Sequence, residues 1–443
     1  MHTLDQLRSG ALIGTRRLDM SCGLRELPPE VFDLASSLEV LNLSGNQLTS
    51  LPNDLPRLKR LKVIFCSDNP FVHLPEVLGA CTSLQIVGFK ANQITQVPGA
   101  ALPPALRWLI LTDNALQKMP AELGERPALQ KLMLAGNRLL TLPDSLAQAH
   151  CLELIRLAAN QLTQLPAWLT QLPRLAWLAL AGNPLNWPRP PSAPMVKLGW
   201  HQLQIGAKLG EGASGHIFQA QTGVDANQSF ALKLFKGSIT SDGLPEHELA
   251  ACLAAGQHPA LCTPVAELQG HPDNRAGLLL PLVPSTYANL AGPPSLDSCT
   301  REVYPSGMRI PLPFVLRLAQ SVAQAVAHLH ARGVMHGDLY AHNILWNPAN
   351  GDALLSDFGA ATLLPVGDVA TCHQLQSLEV RAFGCLLEEL ITHGEVNPIS
   401  IESVNRLQVL AQDCLSPVAA ERPSMRQIAR RLASSDCLEQ TRK

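Results

Sequence analysis

Residues 38–52 read LEVLNLSGNQLTSLP, and this stretch decides the first half of the chain. Leu38, Val40, Leu41 and Leu43 give the apolar pattern of a short strand that turns one face inward. Asn46 follows the strand, and six residues later Pro52 stands behind a leucine. The same unit recurs along the chain. Asn46, Asn69, Asn92, Asn114, Asn137, Asn160 and Asn183 stand 23, 23, 22, 23, 23 and 23 residues apart, and Pro52, Pro75, Pro98, Pro120, Pro143 and Pro166 each follow an asparagine by six residues. Sevenfold register at this period marks a stack of small units that bury their apolar faces on one another.

Each residue type has a physical task. A tight turn after each strand leaves backbone groups pointing inward, and a short amide side chain pairs with them in neighbouring turns as a ladder. The proline turns the chain away and opens the return on the convex side. An earlier copy, LDMSCGLRELP at residues 18–28, is one residue short and puts Cys22 where asparagine would sit. Residues 1–17 then read as an N-terminal cap, and the array runs over roughly 18–188.

At 443 residues the chain exceeds one ordinary core, and two domains are expected. A net charge of -2, from 34 basic and 36 acidic residues, leaves no basic excess to track a phosphate backbone, so no nucleic-acid partner is expected. No uncharged apolar run is long enough to span a bilayer, and MHTLDQLRSG lacks the layout of a signal peptide. Eleven cysteines, an odd number with no CxxC pair, suit free thiols in a reducing compartment. A cytoplasmic location is expected, and a bacterial protein delivered into a host cytoplasm would look the same.

The stretch WPRPPSAPMVKLGW breaks the repeat with Pro188, Pro190, Pro191 and Pro194. Proline removes donors and favours extended backbone, so residues 189–199 read as a semi-rigid linker with the boundary near residue 195.

The second half carries a different pattern. Gly210, Gly212 and Gly215, followed by Ile217, give GxGxxGxI after the apolar step IGAKL, and glycines there let backbone amides approach phosphate oxygens. FALKLF follows at hairpin distance, with Lys233 inside an alternating apolar strand where a charge calls for a partner. PEHELAACLAAGQHP reads as a helix with two candidate partners, Glu248 by its spacing and Glu246 in reserve. An amphipathic helix over residues 314–330 leads into VMHGDLYAHNILW, where Asp338 and Asn343 lie five residues apart, and LLSDFGAA then presents Asp357 after an apolar strand. Two loop acids and an asparagine near one nucleotide are what a magnesium ion and a substrate hydroxyl need.

The repeats resemble the leucine-rich-repeat family, pattern LxxLxLxxNxL, and residues 200–435 resemble the protein kinases in the order and spacing of the glycine loop, Ala231-Leu232-Lys233, His336-Gly337-Asp338-Leu339 with Asn343, and Asp357-Phe358-Gly359. LEVRAFGCLLEELI resembles the buried central helix of the large lobe, and CLSPVAAERPSMRQI its last signature with Arg422. Together they identify a leucine-rich-repeat protein kinase of bacterial type, with an α/β solenoid followed by an α+β bilobal domain and a tail at 436–443. The solenoid would offer its concave face to a protein partner or substrate, or would only cover the second domain. No oligomeric state follows.

The resemblance also implies roles. Lys233 would orient ATP phosphates with Glu248, Asn343 and Asp357 would hold Mg2+, and Asp338 would orient or deprotonate the hydroxyl nucleophile. Leu209, Gly210, Gly212, Gly215, Ile217, Ala231 and Leu345 would line the nucleotide site, with Leu280 as gatekeeper and Pro281 and Val283 on the adenine-facing hinge. The implied activity is phosphoryl transfer to a protein, serine or threonine, with autophosphorylation. Departures bear on it: Gly337 replaces the arginine before the catalytic Asp, Tyr340 the lysine two residues after it, and only 22 positions separate Asp357 from Glu379. Phosphorylation of an activation loop is therefore not the expected control, and Arg422 is left in search of a carboxylate. Two alternatives remain: a pseudokinase scaffold that binds nucleotide without efficient transfer, and a small-molecule phosphotransferase, which shares His-Gly-Asp and its Asn.

Overall fold

The computed structural model describes residues 1–188, 195–211, 215–223, 225–236, 239–240, 242–296, 301–395 and 401–434. Gly212, most of the proline-rich stretch and the tail at 436–443 lie outside them. The chain forms two compact units, Met1–Arg174 with Asn183–Asn186, and Leu175–Gly182 with Trp187–Lys443.

The first unit opens with helix α1 (Leu4–Arg8), whose Thr3 and Gln6 form a reciprocal capping box. Seven three-residue strands follow: β1 (Arg17–Asp19), β2 (Val40–Asn42), β3 (Val63–Phe65), β4 (Ile86–Gly88), β5 (Trp108–Ile110), β6 (Lys131–Met133) and β7 (Leu154–Arg156). They pair in parallel in chain order. Their central residues Leu18, Leu41, Ile64, Val87, Leu109, Leu132 and Ile155 are fully buried, as period two requires of the inward position. The one 22-residue interval in the sequence falls between β4 and β5, and the pairing of Ile86 with Trp108 absorbs it without a slip.

The asparagine ladder is present in full. Asn137 shows the pattern: its Oδ1 accepts from Leu116 N, while its Nδ2 donates to the carbonyls of Leu111 and Leu134, so one side chain ties adjacent turns. Asn46, Asn69, Asn114 and Asn160 repeat it. Cys22 has no such side chain, and its backbone N–H instead donates to Asn46 Oδ1. The residue before every ladder asparagine has positive φ: Gly45, Asp68, Ala91, Asp113, Gly136, Ala159 and Gly182. That left-handed step turns the amide inward, and glycine or aspartate tolerates it better than alanine. Pro75, Pro98, Pro120 and Pro143, with extended backbone, immediately precede short 3-10 helices that form the return between strands.

The second unit begins with β8 (Trp177–Ala179), the strand of the last repeat motif, which packs with this unit. A six-stranded sheet contains β9 (Val196–Gly199), β10 (Leu203–Glu211), β11 (Gly215–Thr222), β12 (Asp225–Phe235), β13 (Ala266–Gln269) and β14 (Gly277–Pro281), in the order β10-β11-β12-β14-β13-β9. The end of the expected linker, Val196–Gly199, is therefore an edge strand, held parallel to β13 by its free backbone groups. Phe230, Leu232 and Leu234 face the sheet's core with Ala220, Leu268 and Leu279. Alternation then puts Ala231 and Lys233 on the opposite face.

Helix α2 (Pro245–Ala255) follows β12. The helical part contains α3 (Leu312–Ala331), α4 (Val369–His393), α5 (Ile401–Cys414) and α6 (Met425–Ala433). On α3, Val315, Leu316, Ala319, Val322, Ala323, Val326 and Leu329 form the buried stripe expected of an amphipathic helix. Gly384 lets α4 approach α5: a Cβ there would stand 2.8 Å from Cys414 Cβ. Among the described residues every cysteine is a free thiol, and no helix is long and apolar enough to cross a membrane.

Candidate active site

Three chain segments bring the charged groups together. Strand β12 presents Lys233 on the face away from its apolar core, and α2 presents Glu248 one turn from its start. Lys233 Nζ lies 2.7 Å from Glu248 Oε1 and 3.6 Å from Asp357 Oδ1. Lys233 and Glu248 are 8% and 5% exposed, so each charge depends on its partner. Glu246, the reserve candidate, is exposed and makes no such pair.

Burial opposes the Lys233 charge, but Asp357 and Glu248 outweigh it and hold the ammonium protonated well above its ordinary range. Burial, reinforced by Asp357, pushes Glu248 up to about 6 despite the pull of Lys233. Lys233 holds Asp357 below the usual carboxylate range, against burial and with help from the Gly359 N–H. The Asp357 side chain is 49% exposed, so its charge is presented outward, not locked in the core. Its φ of 60° is a left-handed conformation, a strained backbone at the point where the carboxylate is aimed.

The loop that carries Asp338 is tied by hydrogen bonds to the segment that leads into Asp357. Asn343 Nδ2 donates to Asp338 O at 2.9 Å and to Asp338 Oδ2 at 2.8 Å. The Asp338 N–H donates to His336 Nδ1, which leaves Nε2 as the protonated nitrogen, donating to Ser356 O at 3.0 Å. Ser356 returns both its N–H and its hydroxyl to Asn343 O. Asp338, Asn343 and Asp357 thus belong to one rigid hydrogen-bonded frame. The buried Glu379 on α4 supports it from behind, accepting from Gly337 N at 2.8 Å and bonding His330 at 2.9 Å. Burial works against its charge, but His330 and the Gly337 N–H keep it below the ordinary range.

The remaining predicted residues line up by strand register. Ile217 pairs with Lys233, Gly210 with Ile217, and Ala231 with Leu280. Gly215 is required sterically, since a Cβ there would stand 2.6 Å from Leu234 O. Leu209 is exposed near the end of β10, Val283 is half-buried just beyond β14, and Leu345 lies in the strand Ile344–Trp346 after the Asp338 loop. Tyr340 is not on the open cleft; it is 3% exposed. Arg422 meets backbone, donating to Ser416 O and Ser377 O. Helix α4 begins at Val369, capped by Asp368, which confirms a short segment after Asp357. His336 was quoted only within its motif and given no role, and Ser356 was not singled out from sequence; its only signal there is adjacency to Asp357.

Asp357 and Asn343 can supply a carboxylate and an amide oxygen to a hard divalent ion, the sparse protein share that Mg2+ accepts when phosphates complete its shell. Among the described residues no three His, Cys, Asp or Glu side chains converge as a self-contained metal centre.

The chain is similar to known proteins over both of its halves. The protein kinase domain family matches residues 203–379, and leucine-rich-repeat families match 36–103 and 127–185. A probable cyclin-dependent serine/threonine-protein kinase of Dictyostelium discoideum is 25% identical over 243 residues, 51% of this chain and 35% of that protein. A putative cyclin-dependent kinase F-2 of Oryza sativa subsp. japonica is 29% identical over 227 residues, 45% of this chain and 65% of that protein. A solved leucine-rich-repeat protein of Leptospira interrogans is 33% identical, covers 39% of this chain and 50% of that one, and superposes with a TM-score of 0.34. The chain spans only part of the curated relatives it matches. The chain therefore carries a protein kinase domain that follows leucine-rich repeats.

Proposed function

We propose that the chain transfers the γ-phosphate of ATP to a hydroxyl of a protein, serine or threonine, including its own. The observation that carries this reading is the joined frame of Lys233, Glu248, Asp357, Asp338 and Asn343, in which a buried ion pair, a half-exposed carboxylate on left-handed backbone and a hydrogen-bonded Asp–Asn pair are held together. Lys233 neutralises and orients phosphate oxygens. Asp338, fixed by Asn343 Nδ2, orients the acceptor hydroxyl and takes its proton as the bond to phosphorus forms. Asp357 and Asn343 hold Mg2+, which offsets the negative charge of the phosphates. Loose phosphoryl transfer asks for positioning and charge more than covalent help, and these residues supply both. Leu209, Gly210, Gly212, Gly215, Ile217, Ala231, Leu280, Val283 and Leu345 form the nucleotide envelope in this reading.

The repeats bind a protein partner or substrate on the concave side of the strands, where Arg17, Asp19, Val40 and Asn42 keep some solvent exposure. The free thiols fit a reducing compartment such as cytoplasm. Titration of ATP into the purified chain tests the nucleotide half. Wild type is expected to bind ATP more tightly with Mg2+, and Asp357→Asn to lose that metal dependence. Nucleotide binding without any acceptor phosphorylated would turn the reading to a pseudokinase, and absence of nucleotide binding would end it.

A further inference from the structure

The three departures from the kinase pattern meet at one place. Trp177, Leu178 and Leu180, in the segment Leu175–Gly182, are each at most 1% exposed. Trp177 Nε1 donates to Leu339 O at 3.0 Å, the carbonyl immediately after Asp338. Its indole stacks on Tyr340, with ring centroids 4.2 Å apart and planes 8° from parallel. The Leu180 N–H donates to Thr362 Oγ1 at 3.1 Å, on the strand after Asp357-Phe358-Gly359. A Cβ on Gly337, whose φ is 75°, would lie 2.6 Å from Leu178 O and 2.7 Å from Ala360 O. Gly337 thus fits where no other side chain would, Tyr340 completes an aromatic stack, and the strand after Asp357 finds a partner despite the short segment that follows it.

We propose that the segment carrying β8 braces the catalytic loop in place of a phosphorylated activation segment, and that Trp177 is a positioning residue for Asp338. The inference rests on the protein-kinase reading above. Trp177 acts on both sides of the peptide that follows Asp338: its N–H fixes the Leu339 carbonyl, and its ring fixes Tyr340. An indole with a satisfied N–H and a parallel aromatic neighbour has little freedom to move. The Asp338 carboxylate, already held by Asn343, then has its backbone held on the other side as well. Because the brace is part of the chain, transfer needs no prior phosphorylation of the segment after Asp357.

The test uses the full chain, with initial rates of autophosphorylation and of casein phosphorylation. Trp177→Phe keeps an aromatic ring and drops the hydrogen bond. It should lower kcat about fivefold, the worth of one buried hydrogen bond, with KM for ATP unchanged within about twofold. Trp177→Ala should lower kcat further. Leu109→Ala, which weakens the buried face of β5 and touches no catalytic element, should leave kcat unchanged and so separates positioning from stability. Amide hydrogen exchange in residues 336–343 gives a readout that needs no turnover, and it should quicken in Trp177→Phe. If wild type transfers phosphate and the Trp177 variants match it in kcat and exchange, the brace is wrong. If wild type transfers nothing, the kinase reading fails, and exchange alone decides the brace: unchanged exchange in Trp177→Phe overturns it.

Discussion

Glu248→Gln should make the kinase unit more stable and a poorer enzyme. In the folded chain the Glu248 carboxyl is pushed up from 4.5 to about 6, mainly by burial. A carboxyl with a raised value binds its proton more tightly in the folded state, so its contribution to stability falls as pH rises from 4.5 to 6 and stays lost above. The difference corresponds to about 2 kcal/mol at pH 7. Glutamine stands in for the neutral acid and removes that penalty, so at pH 7 the transition of this unit should rise by roughly 4–8 °C. At pH 4, where wild type is itself protonated, the two proteins should melt together. Activity should move the other way. Lys233 loses the anchor 2.7 Å away and keeps only Asp357 at 3.6 Å, and misplacing a phosphate-orienting group lowers turnover by about 100-fold. Calorimetry at the two pH values and initial transfer rates check both halves. A variant less stable at pH 7 with turnover intact would refute the argument that Glu248 is kept charged for function at the expense of stability.

Two further outcomes follow from the packing. Asn137→Ala strips partners from Leu116 N, Leu111 O and Leu134 O inside the array, and about 3–5 kcal/mol should be lost in chemical denaturation of the repeats, with the transfer rate unaffected at temperatures where they stay folded. Gly337→Ala forces a Cβ against two backbone carbonyls at a left-handed φ, which should cost roughly 2–4 kcal/mol and reduce kcat by displacing the neighbouring Asp338, as read by melting and by initial rates.

Much of this molecule was legible in the order of its residues. The spacing of the seven asparagines sets the repeat, because a solenoid has one answer per period and the structure repeats it down to the 22-residue interval before Asn114. The left-handed step before each asparagine could have been read from the glycines and aspartates there, but Ala91 and Ala159 hide it, since alanine seldom takes that conformation unless neighbours impose it. In the second unit, local motifs announced Lys233, Asp338, Asn343 and Asp357. Their joining was not written locally: the choice of Glu248 over Glu246 depends on which face of α2 is buried, and the support of Gly337 by Glu379 spans 42 positions. Val196–Gly199 read as linker because a four-residue edge strand is defined by its neighbour β13 more than by its own pattern. Trp177 was least legible of all, since nothing within its repeat says that an indole 162 positions away will meet Leu339.

The central claim is that Asp338 serves phosphoryl transfer from ATP to a protein hydroxyl. Incorporation of label from γ-labelled ATP with Mg2+ into the full chain and into a generic protein acceptor, wild type beside Asp338→Asn, tests it most directly. The account predicts label on serine or threonine with wild type and its loss in the variant, while ATP affinity and melting temperature stay the same. Equal incorporation by the two proteins would contradict the account.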